Sequence, residues 1–439
     1  MTYTECLTYL TDLGHEMRGV KFDLEAIRQI MEALGHPEQK YPTAIVAGTN
    51  GKGSTSAMLA SILDCAGYRT GLYTSPHLVR VNERIRIKGS DISDEDFARS
   101  FTAVRDTVEG LVACGVLPHR PSFFEFLTAT AFLHFARAGV DFAVLEVGMG
   151  GRLDATNITQ PRVAVITNVE LDHMEYLGST HAAIAFEKAG VIQRGCPVIS
   201  GCENFAAAEV VRRRAQELNA ELIELRSLAS GNLRGEAGRY TFDLALDGAR
   251  LEDLAVSLPG RFQVRNAQAA AIAAWRLAED GFQISAEAIR AGVHRARWPG
   301  RLEVVSRRPL VLLDGAHNPA AARELAQFVR EELARKRLTL VYASMRDKAI
   351  GEISEVLFPL ADASFLTRVE QPRAAAPQEI LAAARFRPAH VVLEPDPVRA
   401  FERAEERAAP EDVVLVAGSL FLVRAIKQAL IDLPHWVTL

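Results

Sequence analysis

The segment AIVAGTNGKGST, residues 44–55, sets an apolar run before three glycines, one lysine and a group of hydroxyls. A strand, a glycine loop and a helix start in that order make a cradle for a small anion. Backbone N–H groups converge, the helix N-terminus adds partial positive charge, and Lys52 adds a full one. Gly48, Thr49, Asn50, Gly51, Lys52, Gly53 and Ser54 form this candidate cradle. It departs twice from the common phosphate-loop pattern. Val46 stands where a glycine is expected, and Gly53 stands where a hydroxyl should follow the lysine. The loop is therefore a variant, and kinase or GTPase chemistry is disfavoured.

Other clusters carry chemistry at strand ends. In LEVGMGGRLDATN, 145–157, Glu146 lies inside an apolar strand, where an unpaired carboxylate is costly. It reads either as a magnesium ligand or as the partner of Arg152 or a backbone donor. ITNVELDHMEYLGST, 166–180, brings Asp172 and His173 to a second strand end beside Glu170 and Glu175. Lys188 in FEKAGVI, 186–192, reads by itself as a solvated helix lysine. YTSPHLVRVNERIRIKG, 73–89, starts with a Ser-Pro-His loop and continues as an alternating basic stretch, by itself an exposed edge hairpin. In LLDGAHNPAA, 312–321, Asp314, His317 and Asn318 either face a cleft or form a capping aspartate with a surface histidine.

The elements that must position these groups follow from periodicity. Short apolar runs alternate with helical patterns, which predicts an α/β fold with a largely parallel sheet. Strands are expected at 44–47, 142–147 and 163–167, and a helix after Gly53 through Met58, Leu59, Ile62, Leu63 and Ala66, ended by Gly67. The stretch 222–258 reads as a small β insertion. Pro299–Gly300 within 295–305 reads as a hinge, followed by strands at 310–313, 338–342, 364–369, 390–394 and 413–417. A cleft between two domains is the expected site.

The bulk numbers agree. A chain of 439 residues exceeds one ordinary core, and 24% charged with 49% hydrophobic residues is usual for a globular protein. A net charge of −5 disfavours a broad grip on nucleic acid. No apolar run reaches the length of a membrane span, and acidic residues interrupt the N-terminal segment where a signal peptide needs an apolar core. Five scattered cysteines without a CxxC fit reduced thiols in a cytoplasm.

GTNGKGS, SPHL, EVGMGGRLDATN, LDH, FEKAGVI, PGRLE, DGAHNP and VAGSLFLV stand in the order seen in folylpolyglutamate synthases. Bacterial members of that family often double as dihydrofolate synthases, and the family is a branch of the Mur-type ATP-dependent amide ligases. The resemblance covers roughly residues 21–424. It implies a Mur-ligase-like P-loop ATPase domain over 1–296 and a smaller C-terminal Rossmann-like glutamate ligase domain over 297–439. It also implies ATP and Mg2+ as cofactors, and folate or dihydropteroate with L-glutamate as substrates.

Residue by residue, the resemblance places the ATP phosphates on residues 48–54 and further nucleotide contacts on Asn266, Arg301 and Asp314. Ser75, Glu146 and His173 resemble the magnesium ligands, Ser75 supplying the hydroxyl missing after Lys52. Lys188 matches a lysine that is carbamylated in the family and then holds a second magnesium. Ser122, Phe123, Phe124 and Glu125, with Leu153, Asp154 and Ala155, resemble the pteridine wall, and the segment near Lys21 a substrate-binding helix start. Lys52, Lys188 and His317 are the implied catalytic residues. A cytoplasmic monomer with no nucleic-acid or membrane partner is expected. Ala343 and Ala349 depart from the family pattern and leave the amino-acid pocket open. The rival readings are another Mur-type amino-acid ligase and a non-catalytic nucleotide switch.

Overall fold

Strand β1, Thr43–Ala47, is buried along its whole length, as an apolar run without alternation requires of a central parallel strand. The computed structural model describes residues 1–14, 23–227, 230–236, 238–246 and 249–432. Around β1 stand β2 (Thr70–Tyr73), β3 (Ile85–Ile87), β4 (Ser90–Asp91), β5 (Phe142–Glu146), β6 (Pro161–Ile166), β7 (Val198–Ser200) and β8 (Leu222–Glu224). The order across this sheet is β4-β3-β2-β5-β1-β6-β7-β8. Pairs from β2 to β8 are parallel, and β3 and β4 add an antiparallel hairpin at the edge, as residues 73–89 foretold.

Helix Lys52–Cys65 follows β1 directly and buries nearly every face. It lies against helix Ala286–Arg295 so closely that the Ser61 hydroxyl donates to the Gly292 carbonyl at 2.8 Å, and a side chain at Gly292 would strike the Ile62 backbone. An aromatic-rich core that includes Phe97, Phe101, Phe126 and Phe132 packs helices Asp94–Ala113 and Phe123–Ala138 with strand residues Ala143 and Leu145.

Residues 222–258 do not form one insertion. β8 extends the large sheet in parallel with β7, because it completes a strand–helix–strand unit through helix Phe205–Glu217. Only β9 (Ser230–Glu236), β10 (Arg239–Leu246) and β11 (Ala249–Val256) form a separate three-stranded sheet, ordered β11-β10-β9.

The second sheet holds β12 (Glu303–Arg307), β13 (Leu310–Leu313), β14 (Leu338–Tyr342), β15 (Ala363–Leu366), β16 (Val391–Leu393) and β17 (Val413–Ala417), ordered β12-β13-β17-β14-β15-β16. β12 is antiparallel and the others are parallel. The expected strand at 364–369 stops at Leu366, since the Thr367 hydroxyl donates to the Pro395 carbonyl at 3.2 Å as the chain leaves the sheet.

The chain forms two compact units that divide between Arg297 and Trp298, within the segment read as a hinge. Residues 234–240 and 256–264 cluster with the second unit. All five cysteines are free, and among the described residues no helix is long and apolar enough to cross a membrane.

Candidate active site

Gly51 caps helix Lys52–Cys65 at φ +83°, a left-handed conformation that favours glycine. A side chain there would overlap the Asn266 amide, and one at Gly48 would overlap the Thr167 hydroxyl. The exit of β6 fastens the loop from the other side. Thr49 N–H donates to the Asn168 carbonyl at 3.1 Å, Asn50 N–H to Asn168 Oδ1 at 2.9 Å, and the Thr167 hydroxyl to the Asn50 carbonyl at 2.6 Å. Thr49 Oγ1 also accepts from Glu170 N–H at 3.0 Å. Asn266, expected to reach the nucleotide from beyond the loop, lies against Gly51, and Thr167 and Asn168 brace the loop as well. They were legible only as the TN near the start of the 166–180 stretch, ITNVELDHMEYLGST.

Lys52 Nζ donates to the Gly48 and Thr49 carbonyls, both at 3.2 Å. Lys188, expected from its own segment to be solvated, is only 4% exposed, and its Nζ donates to the Gly48 carbonyl at 2.8 Å. Burial first, and the charge of Lys52 second, push its pKa down to about 7, with Asp172 acting in the opposite sense. The shift favours the neutral, nucleophilic amine over the ammonium. His173 N–H donates to Asp172 Oδ1 at 2.9 Å, and His173 adopts φ +51° at the start of the short helix Met174–Leu177.

Glu146 is 4% exposed at the end of β5, in register with Val46 on β1. Of the protein partners considered for it, the backbone donor is found: Ser75 N–H donates to Glu146 Oε2 at 3.1 Å. Arg152 instead pairs with Glu187 at 2.9 Å. Among the described residues, no group of three or more His, Cys, Asp or Glu side chains is arranged to hold a metal. Magnesium does not require one, because it takes one or two carboxylates and completes its octahedron with phosphate oxygens and water. A buried carboxylate with a serine at its side, on the strand next to the one that leads into the anion cradle, fits that donor set.

The two segments expected to form a substrate wall meet. Phe124 packs so near Gly148 that a side chain on Gly148 would strike its ring, and Tyr73 lies 6.0 Å from it, centroid to centroid. Phe123, Phe124, Leu153 and Ala155 share one hydrophobic cluster. Ser122 and Glu125 form a reciprocal cap on helix Phe123–Ala138: the Ser122 N–H and hydroxyl donate to Glu125 at 2.8 and 2.7 Å. Asp154 is buried and accepts from Gly148 N–H, Met149 N–H, Thr156 N–H and the Thr156 hydroxyl at 2.6–3.1 Å. Its carboxylate therefore shapes the wall from behind. Lys21 lies outside the described residues.

In the second unit, Asp314 is buried and ties the chain to itself, accepting from Leu302 N–H at 2.9 Å and Ala316 N–H at 2.8 Å. The expected cap is there, but Asn318 makes it: its Oδ1 accepts from Ala321 N–H at 2.9 Å at the start of helix Pro319–Glu332. His317 Nδ1 lies 2.8 Å from the Gly315 carbonyl, which can only accept, so Nδ1 donates and Nε2 points elsewhere. Arg301 stands beside Gly315. Ala349 begins helix Ile350–Leu357 without a side-chain cap.

The chain is similar to known proteins over nearly its whole length. Residues 46–274 match the Mur ligase middle domain, and residues 300–420 match the Mur ligase glutamate ligase domain. The chain is 37% identical over 415 residues to the dihydrofolate synthase/folylpolyglutamate synthase of Bacillus subtilis (strain 168), covering 94% of this chain and 96% of that one. It superposes on the Escherichia coli FolC structure in complex with DHPP and ADP with a TM-score of 0.87 at 32% identity, covering 98% of both chains. The Mycobacterium tuberculosis folylpolyglutamate synthase complexed with ADP and AMPPCP gives a TM-score of 0.89 at 32% identity, over 97% of this chain and 98% of that one.

Proposed function

Because the chain belongs to the Mur ligases, in the branch of folylpolyglutamate and dihydrofolate synthases, we infer that it is an ATP-dependent ligase joining L-glutamate to folates and to dihydropteroate. The observation that carries this reading is the anion cradle of residues 48–54, closed by Asn266, with the buried Glu146 carboxylate in register on the adjacent strand.

Amide formation from a carboxylate is uphill in water, so the acid must first be activated. In the proposed reaction a carboxylate oxygen of the folate or pteroate attacks the γ-phosphorus of ATP, and ADP leaves. The glutamate amine then attacks the carbonyl carbon of the acyl phosphate, and phosphate departs with the carboxylate oxygen. The protein's share is positioning and charge neutralisation. The N–H groups of residues 48–54 and the Lys52 ammonium hold the phosphates, and Asn266 sets the loop against which they rest. Ser75, Glu146 and His173 would hold one magnesium and a carbamylated Lys188 a second; bound metal would supply charge neutralisation between two anions. Phe123, Phe124, Leu153 and Ala155 supply the apolar wall for a flat ring. In the second unit, Arg301 and Asp314 act on the nucleotide, and His317 Nε2 takes a proton from the incoming ammonium. Action as a monomer in the cytoplasm belongs to the same proposal; five free thiols support the compartment.

ADP release with ATP, magnesium and L-glutamate, run with dihydropteroate and with tetrahydrofolate, tests the assignment. Release with either acid upholds a ligase of this branch. Release with neither, but with another acid acceptor, would move the chain to a different Mur-type ligase.

A further inference from the structure

The basic stretch after the Ser-Pro-His loop is not an ordinary solvated edge. Arg84 is 2% exposed, and it contacts two parts of the site at once. Its Nε donates to His77 Nδ1 at 2.9 Å, and its guanidinium carbon lies 5.3 Å from the centre of the Phe123 ring. Because His77 Nδ1 accepts, the histidine proton sits on Nε2, so the ring is held in one tautomer and one orientation.

His77 is two residues from Ser75, whose N–H binds Glu146. The remainder of that loop is pinned by Glu83, which accepts from Leu78, Val79 and Arg80 N–H at 2.8 Å each. Arg84 also holds the loop's first residues through its carbonyl, which accepts from Thr74 N–H at 3.0 Å. On the other side, Phe123 begins the helix that carries the substrate wall. The flat guanidinium is suited to both duties, since it stacks on an aromatic face while donating in its own plane.

We propose that Arg84 is a positioning residue that couples the acid-substrate wall to the metal loop, holding Phe123 on one side and, through His77, the Ser75–Glu146 contact on the other. The proposal rests on the assignment of Phe123 to substrate and of Ser75 and Glu146 to magnesium made above.

The test uses the full chain and two readouts: KM for dihydropteroate, and ADP affinity by calorimetry with and without magnesium. Arg84→Met is expected to raise KM roughly threefold to tenfold and to weaken the magnesium-dependent part of ADP binding by a similar factor. ADP binding without magnesium should stay unchanged. Arg84→Lys, which keeps the charge but not the flat plate, should not restore KM. Phe123→Leu should move KM alone, and His77→Leu the magnesium-dependent affinity alone. A shift in only one readout for Arg84→Met, in neither, or equally in magnesium-free ADP binding would overturn the coupling. If Arg84→Met does not fold, the Phe123 and His77 variants decide, because identical effects from both would refute it. Wild-type protein that binds magnesium-ADP but shows no acid-dependent ADP release would defeat the ligase reading instead, and the calorimetric arm would still report on the link from Arg84 to the metal loop.

Discussion

Lys188 and Lys52 donate to the same oxygen, the carbonyl of Gly48, at 2.8 and 3.2 Å. Two ammonium groups on one acceptor repel each other, and the buried one yields its proton more readily. This relationship joins the glycine loop to a helix 140 residues away in sequence and gives Lys188 its chemistry.

The first consequence is a carbamate. The neutral Lys188 amine attacks the carbon of CO2 and loses one proton, leaving a carboxylate where an ammonium stood. With 13C-labelled bicarbonate, a carbamate carbon resonance is expected at alkaline pH, absent in Lys188→Ala and fading as pH falls below about 7. Lys52→Met removes the second cause of the depressed pKa, so the resonance should fade at a higher pH than in the wild type. No resonance in the wild type at any pH would refute the carbamate.

The same shift predicts how stability varies with pH. Between about 7 and the ordinary lysine value of 10.5, the unfolded chain keeps a proton that the folded chain has lost. Stability contributed by this group therefore rises with pH across that window, by at most about 1.4 kcal/mol per pH unit. Urea unfolding of CO2-free protein should show the rise, and Lys188→Met should flatten it.

Gly48→Ala tests the loop. Its φ of +143° is outside the range an alanine adopts easily, and the new methyl would displace the Thr167 hydroxyl from the loop. The variant is expected to lose stability by about 1–3 kcal/mol and to bind ATP at least tenfold more weakly. Wild-type ATP affinity would mean the loop is not the cradle.

Asp154→Asn tests the wall from behind. Each carboxylate oxygen accepts two donors, and an amide can replace only one of those oxygens, leaving a donor pair facing an NH2 group. A loss of about 2–4 kcal/mol is expected, with a raised KM for the acid substrate and an unchanged KM for ATP. An equal rise in both KM values would show that the wall serves no particular substrate.

Much of this was legible in the sequence, and the exceptions share a cause. Strand β1, the glycine loop and helix Lys52–Cys65 follow local rules, so motif and periodicity located them. Glu146 was conspicuous because a carboxylate in an apolar strand demands a partner, but the partner, Ser75, lies 71 residues away. Lys188 was misread from its own helix because its burial depends on Gly48, which no local pattern reveals. The three-residue β8 was too short to announce whether it joined the main sheet or the insertion. Arg84 was hidden within an alternating basic stretch that, by composition, belongs in solvent.

The central claim is that an oxygen of the organic acid passes to phosphate by way of an acyl phosphate. Dihydropteroate labelled with 18O in its carboxylate, turned over with ATP, magnesium and L-glutamate, tests it directly, with mass spectrometry of the released phosphate as the readout. The account predicts one labelled oxygen in the phosphate for each amide formed. Unlabelled phosphate accompanying amide formation would contradict it.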